Sequence, residues 1–172
     1  VIEAIETLAG KGPPDLEMLS VRLAAWLVIL SGRTNDLTEA EARVREALQT
    51  GRGLAKFREM VEHQGGDVRV IDDPSRFARA AHRSQVQASQ AGYIAAVQAE
   101  ELGRAAMLLG AGREKVEDSI DHSVGAILHK KPGDPVKPGE VLVELHYNDS
   151  LRLHEARHQA EQARAESNRK LQ

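Results

Sequence analysis

The stretch LHEARHQ, residues 153–159, contains the metal-binding pattern His-Glu-x-x-His at His154, Glu155 and His158. On a helix, residues four apart lie on the same face, so both histidines would reach one metal ion. Glu155 would then act as general base on a water molecule bound to Zn²⁺. A zinc hydrolase is therefore one candidate function.

A catalytic zinc site needs a third protein ligand, which this sequence does not offer in a suitable place. Longer zinc-protease patterns have glycine and histidine at the positions of Glu161 and Arg164. Too few residues follow His158 for a second helix to bring a glutamate to the metal. We therefore expect a solvated helix with chance spacing, and a zinc hydrolase is the least favoured alternative.

The stretch LLGAGREK, residues 108–115, combines two glycines with Arg113 and Lys115, as some phosphate-binding loops do. Such loops precede a helix, where free N–H groups point outward. Here the helical pattern precedes the glycines, so we expect Gly110 and Gly112 to end that helix. A structural turn is favoured over an anion site.

The stretch KKPGDPVKPGEVL, residues 130–142, resembles the hairpin of lipoyl and biotinyl carrier domains. Those domains present a modifiable lysine at a hairpin tip, flanked by Met or Ala. Lys130 and Lys131 instead adjoin Pro132 at a different turn. We predict a barrel-sandwich-like sheet without carrier chemistry, and a non-catalytic interaction module is the main alternative function.

Composition restricts the classes of partner. A hydrophobic content of 41% with 28% charged residues is typical of a soluble globular protein. The net charge of −3, without a long basic run, disfavours nucleic acid, and no apolar run approaches the roughly 20 residues that cross a bilayer. The absence of cysteine fits a reducing compartment, so we expect a cytoplasmic protein. The chain starts without Met and resembles part of a longer protein.

Residues 1–80 are predicted to be helical. Asp15 is a candidate N-cap, and Thr38 with Glu41 forms a candidate capping box. The helix after Asp15 is expected to bury one apolar face, because its leucines recur at intervals of three and four. These leucines are Leu16, Leu19, Leu23, Leu27 and Leu30.

Residues 81–148 are predicted to form an α+β domain. Proline-glycine turns at 132–134 and 138–139 separate apolar runs, as in an antiparallel sheet with short hairpins. Residues 149–172 are rich in Ala, Glu, Arg and Gln and predict an exposed polar helix.

Several stretches together resemble, in order, the second half of the thymidine and pyrimidine-nucleoside phosphorylase family. The resemblance extends to about residue 148 and ends before the His-Glu-x-x-His pattern. The stretches are EAIETLAGKGPPDL, LAKFREMVEHQGGD, VIDDPS and the continuous segment from AGYIAAVQAEELGRAAMLLGAGR to VLVELHYN.

This resemblance implies a fold and a reaction. Residues 1–80 would be the helical end of an α/β phosphorylase domain, and residues 81–148 a C-terminal α+β module. The family converts a pyrimidine nucleoside and phosphate reversibly into free base and a pentose 1-phosphate, in nucleoside salvage. Inorganic phosphate is then the co-substrate. The resemblance also implies domain closure over the substrate and homodimerisation through N-terminal helices.

The resemblance also limits the site residues that can be named in this chain. The family's phosphate loop and pyrimidine-binding residues precede the segment that matches here, so we assign no catalytic or substrate-binding residue and expect this chain alone to be inactive. One position carries over, because a carboxylate in the family's V-x-E-A-I segment helps to bind a potassium ion. That carboxylate matches Glu3.

Overall fold

The structure, a computed structural model, describes residues 1–113 and 115–167. The chain forms two compact units, Val1–Arg76 and Phe77–Gln172. The predicted boundary, at residue 80, is close to this division. No helix in the described part of the chain is both long enough and apolar enough to span a bilayer.

The first unit is helical, and its helix starts differ from the predicted ones. Pro13, not Asp15, is the N-cap of the second helix, since Pro14 fills the first helical position and needs no N–H partner. Asp36, not Thr38, caps the third helix, where its carboxylate accepts from two backbone amides. The elements are α1 (Ile2–Leu8), α2 (Pro14–Leu30), α3 (Leu37–Gln49), α4 (Arg52–His63), α5 (Arg69–Asp72) and a 3₁₀ turn (Pro74–Arg76).

Helix α2 buries a different face from the predicted one. Val21 and Ala25 are 1% and 0% exposed, and the helix packs against α3. By contrast, Leu23 and Leu27 are 58% and 66% exposed. The prediction that the leucines form the buried face is therefore wrong within this unit. Periodicity identified an apolar face, but α2 is apolar on more than one side.

The elements of the second unit are β1 (His82–Gln87), β2 (Gly92–Val97), α6 (Ala99–Ala106), β3 (Gly125–Leu128), β4 (Pro135–Val136), β5 (Val141–Tyr147), α7 (Leu153–Gln162) and β6 (Arg164–Ser167). The strands form two three-stranded antiparallel sheets, in strand orders β1-β5-β3 and β4-β2-β6. This confirms the α+β prediction, although neither sheet closes into a barrel among the described residues. The successive strands β1 and β2 lie in different sheets.

Helix α7 is part of the core of this unit, whereas the sequence predicts an exposed helix from 149 to 172. Ala156 and Ala160, four residues apart, are fully buried, as is Ala105 of the neighbouring helix α6. Small side chains at these positions allow close approach of the two helices. The chain then forms β6, which pairs with β2, where a helix was expected. The rest of the predicted helix, 168–172, lies outside the described residues.

A polar network fixes the segment that leads from α6 to β3. Gly110 accepts a backbone hydrogen bond from Asp121 at 2.9 Å. The Asp121 carboxylate accepts from the Ser123 amide and hydroxyl at 2.9 and 2.6 Å, and from Asn148 Nδ2 at 2.7 Å. Asn148 Oδ1 in turn accepts from the Ala81 amide at 2.8 Å. The network therefore joins this segment to the ends of β1 and β5.

Hydrogen bonds from Ser123, and then from Asn148, hold the pKa of the Asp121 carboxyl below its ordinary value of 3.8. A carboxyl whose folded pKa is depressed stabilises the fold above its unfolded pKa. That stabilisation is lost as the pH falls from 3.8 through the lower folded pKa.

We expect Ala160→Leu to destabilise the second unit by about 1–3 kcal/mol, because the larger side chain has no space in the core. The free energy of opening of the β5 amides, from native-state hydrogen exchange, measures this. Gln162→Leu, on the exposed side of the same helix, is the control and should change it little. Equal effects of the two substitutions would contradict the packing of α7.

We expect Asp121→Asn to cost about 1 kcal/mol at pH 6, because its new amide N–H faces the N–H of Asn148. The difference from the unsubstituted chain should shrink below pH 3.8, as Asp121 itself becomes protonated. Urea unfolding between pH 6 and pH 3 measures both effects. The exposed Glu117→Gln is the control, and a difference that stays constant with pH would refute this role for Asp121.

Candidate functional residues and family

Glu3, the predicted potassium ligand, lies in the first turn of α1. The residue is exposed, and among the described residues its carboxylate forms no hydrogen bond or ion pair. The backbone carbonyl of Glu3 accepts from Thr7 Oγ1 at 2.7 Å, which keeps that oxygen occupied. The carboxylate is thus available as a hard oxygen ligand, the type that alkali and alkaline-earth ions prefer. A complete site would need further oxygen ligands from elsewhere.

The two histidines of the His-Glu-x-x-His pattern are both exposed on α7. His158 Nε2 lies 2.9 Å from Gln162 Nε2, and Glu155 Oε2 lies 3.4 Å from Arg152 Nε. In the part of the chain that the structure describes, no three His, Asp or Glu side chains converge as a metal site would require. The pattern lies on a helix as expected, but no third zinc ligand joins it among the described residues.

The glycine stretch ends a helix, as the sequence predicts. Helix α6 continues into the wider turn Met107–Ala111, in which Gly110 has a φ of +106°, a conformation that favours glycine. A Cβ on Gly112 would lie 3.0 Å from Met107 Cγ. Since the helix precedes the glycines, its positive end does not point at them.

Lys130 is paired, not presented as a carrier lysine would be. Its Nζ lies 2.6 Å from Glu140 Oε1, and its side chain is only 22% exposed. The Lys130 ammonium group, followed by the Lys137 amide, holds the pKa of the Glu140 carboxyl below its ordinary value. The Lys130–Glu140 pair therefore acts as a link between two neighbouring turns.

Sequence reasoning missed a polar pair on β5. Glu144 and His146 alternate along the strand with the buried Leu145, and therefore share the sheet face opposite the core. His146 Nε2 lies 2.6 Å from Glu144 Oε1, and Arg83 Nη1 of β1 lies 3.4 Å from the same oxygen. The hydrogen bond with His146 lowers the pKa of the Glu144 carboxyl. The alternation along β5 was the available signal, but only the strand register brings Arg83 to the pair.

The chain is similar to known proteins over most of its length. A family model described as the pyrimidine nucleoside phosphorylase C-terminal domain matches residues 93–166. The pyrimidine-nucleoside phosphorylase of Bacillus subtilis (strain 168) is 46% identical over 148 residues, which is 86% of this chain and 34% of that protein. The proteins of the same name from Staphylococcus haemolyticus (strain JCSC1435) and Staphylococcus aureus (strain USA300) are 46% and 42% identical over 146 residues, 85% of this chain and 34% of each of theirs.

This similarity extends well beyond the C-terminal domain. Since 148 of 172 residues align with the Bacillus subtilis protein, the aligned segment contains residues 25–148 wherever it begins. It therefore includes helices of the first unit as well as strands of both sheets of the second. The chain spans about a third of the length of the curated relatives it matches. The chain belongs to the pyrimidine-nucleoside phosphorylase family, in which it corresponds to the C-terminal portion.

Proposed function

We propose that this chain is the C-terminal portion of an enzyme that catalyses the reversible phosphorolysis of a pyrimidine nucleoside. The products would be the free base and ribose or deoxyribose 1-phosphate. The observation that carries this proposal is the 46% identity to proteins named pyrimidine-nucleoside phosphorylase, over a segment that includes parts of both units.

The reaction sets physical requirements that this chain does not meet by itself. Phosphate displaces the base at the anomeric carbon through an oxocarbenium-like state, while negative charge grows on the departing base. An enzyme must therefore hold a phosphate anion on one face of the sugar and supply positively charged or N–H donors to the base on the other. None of the stretches singled out from the sequence forms such a set within residues 1–113 and 115–167. The phosphate and base sites are therefore proposed to lie upstream, in the part of the protein that this chain does not span.

Potassium is proposed as the cofactor, with Glu3 as one ligand. The exposed carboxylate without a partner among the described residues fits a hard cation, and the remaining ligands would come from the upstream part. The ion would neutralise charge near the phosphate loop and so help to order it. We further propose a cytoplasmic homodimer that binds nucleoside and phosphate, but neither nucleic acid nor membrane.

The complete protein, expressed from the full coding sequence, should release free base from uridine or thymidine only when phosphate is present. The 172-residue chain should release none, because the sites for both substrates lie upstream. Chromatographic detection of base and pentose 1-phosphate measures this. As a control, Lys130→Met in the complete protein should leave the rate unchanged, since Lys130 pairs with Glu140.

Failure of the complete protein to release base from either nucleoside would refute the proposal. If the complete protein then bound a protein partner equally well with and without nucleoside, the non-catalytic interaction module would be favoured instead.

We expect Glu3→Gln in the complete protein to raise the potassium concentration for half-maximal activity about tenfold. Removing one charged ligand weakens binding by roughly 1.5 kcal/mol, and 1.4 kcal/mol corresponds to a factor of ten. Phosphorolysis rates measured against KCl, at constant ionic strength, test this. Glu62→Gln removes the same charge from an exposed position on α4 and should leave the potassium dependence unchanged. An unaltered dependence in Glu3→Gln would remove Glu3 from the site.

A further inference from the structure

Helix α2 presents an apolar surface to solvent, which we call the α2 leucine face. Its members are large hydrophobic side chains on one side of the helix, each between 49% and 80% exposed. They are Met18, Leu19, Leu23, Trp26, Leu27 and Leu30. A continuous exposed patch of this kind marks a surface that another molecule or segment covers.

The second half of α2 has the sequence of a helix buried on all sides. Residues 23–30, LAAWLVIL, contain no polar side chain over two helical turns. The other side of the helix is already buried, with Val21 and Ala25 at 1% and 0% exposure. A helix that is apolar all round belongs to the interior of a larger structure. The first unit covers only one side of it.

Two of the three charged residues of α2 are paired with α3. Arg22 Nε lies 3.0 Å from Glu41 Oε1, and Glu17 Oε1 lies 3.6 Å from Arg45 Nη1. The third, Asp15, lies in the first turn of the helix, and no charged residue follows Arg22 in α2. The surface that covers the leucine face is therefore expected to be largely apolar. Such a surface is expected of the interior of a domain, not of a nucleic acid or a charged substrate.

An open groove in the same unit indicates incomplete packing at a second place. It lies between α1, α2 and α3, and the side chains that line it are mostly apolar, among them Leu8, Leu16, Val44 and Leu48. Protein interiors are normally packed to the density of organic crystals. The groove is therefore a second site at which the first unit does not fill its own interior.

The relatives indicate what covers the α2 leucine face. Their aligned segment includes residues 25–148, and therefore Trp26, Leu27 and Leu30, while about two thirds of their length has no counterpart in this chain. The model of the C-terminal domain begins only at residue 93, so α2 belongs to the part that precedes that domain. We propose that the α2 leucine face is the docking surface for the two thirds of the complete protein that this chain does not span. The inference rests on the proposed longer protein, but not on its activity.

Cysteine accessibility tests this docking directly, because the chain has no cysteine of its own. Leu27→Cys is introduced into the 172-residue chain and into the complete protein, and Glu62→Cys on α4 serves as the exposed control. The rate of maleimide labelling is read for each site by mass spectrometry of the peptide that contains it. We expect Cys labelling at position 27 to be at least tenfold slower in the complete protein than in the chain, with no difference at position 62. Leu19→Cys, on the same face, should behave as Leu27→Cys does.

Two results would overturn the docking proposal. One is labelling at positions 19 and 27 that is as fast in the complete protein as in the chain. The other is slow labelling already in the 172-residue chain, with the mass of a dimer or with binding to phosphatidylcholine vesicles, which would assign the face to a second copy or to a lipid surface. Labelling needs no turnover, so a protected face in an inactive protein would refute the proposed function alone. An active complete protein in which positions 19 and 27 are labelled as fast as in the 172-residue chain would refute the docking alone.

Discussion

The burial of apolar side chains is the constraint on which this structure depends, and the two units satisfy it to different extents. The second unit has a continuous core built from strands of both sheets and from α6 and α7. Leu145 and Ile94, one from each sheet, are 0% and 1% exposed. The first unit buries one side of α2 and leaves the other in water. This difference is the physical reason for the proposal that the α2 leucine face is covered by a further part of the protein.

Local features of the sequence predicted the elements of the second unit well. The proline-glycine turns separate β3, β4 and β5 where expected, and Gly110 ends the helical segment that contains α6. Strand pairing was not predictable from the same features. The segment between β1 and β2 looks like a hairpin turn, yet the two strands join different sheets, because each finds its partners far along the chain. Long-range pairing depends on the whole core and leaves no local signal.

Helices α2 and α7 show why the apolar or polar composition of a helix can mislead about its burial. The leucines of α2 predicted burial, but four of the five are exposed among the described residues, namely Leu19, Leu23, Leu27 and Leu30. The polar composition of α7 predicted exposure, but two alanines four residues apart are enough to bury one side of that helix. The burial of both helices depends on the elements that pack against them, and the composition of a helix does not specify those elements.

Among the candidate site residues, too, local sequence patterns could be recognised, but contacts between distant parts of the chain could not. Glu3 could be proposed only through the family resemblance, since nothing in its own surroundings marks it as a ligand. The pair of Glu144 with His146 is local, but its contact with Arg83 requires the register of β1 on β5. The His-Glu-x-x-His pattern was found at once because it is local, whereas a third ligand would have to be brought to it by the fold, and the described residues bring none.

The most direct test of the account is the intact mass of the native protein in an extract of its source. It can be identified through the peptide AAMLLGAGR, residues 105–113. Because this chain spans 34% of its relatives, we predict a mass about three times that of the 172-residue chain. A native protein with the mass of this chain alone would contradict the account. It would leave the α2 leucine face without its proposed cover and the family fold without its catalytic part.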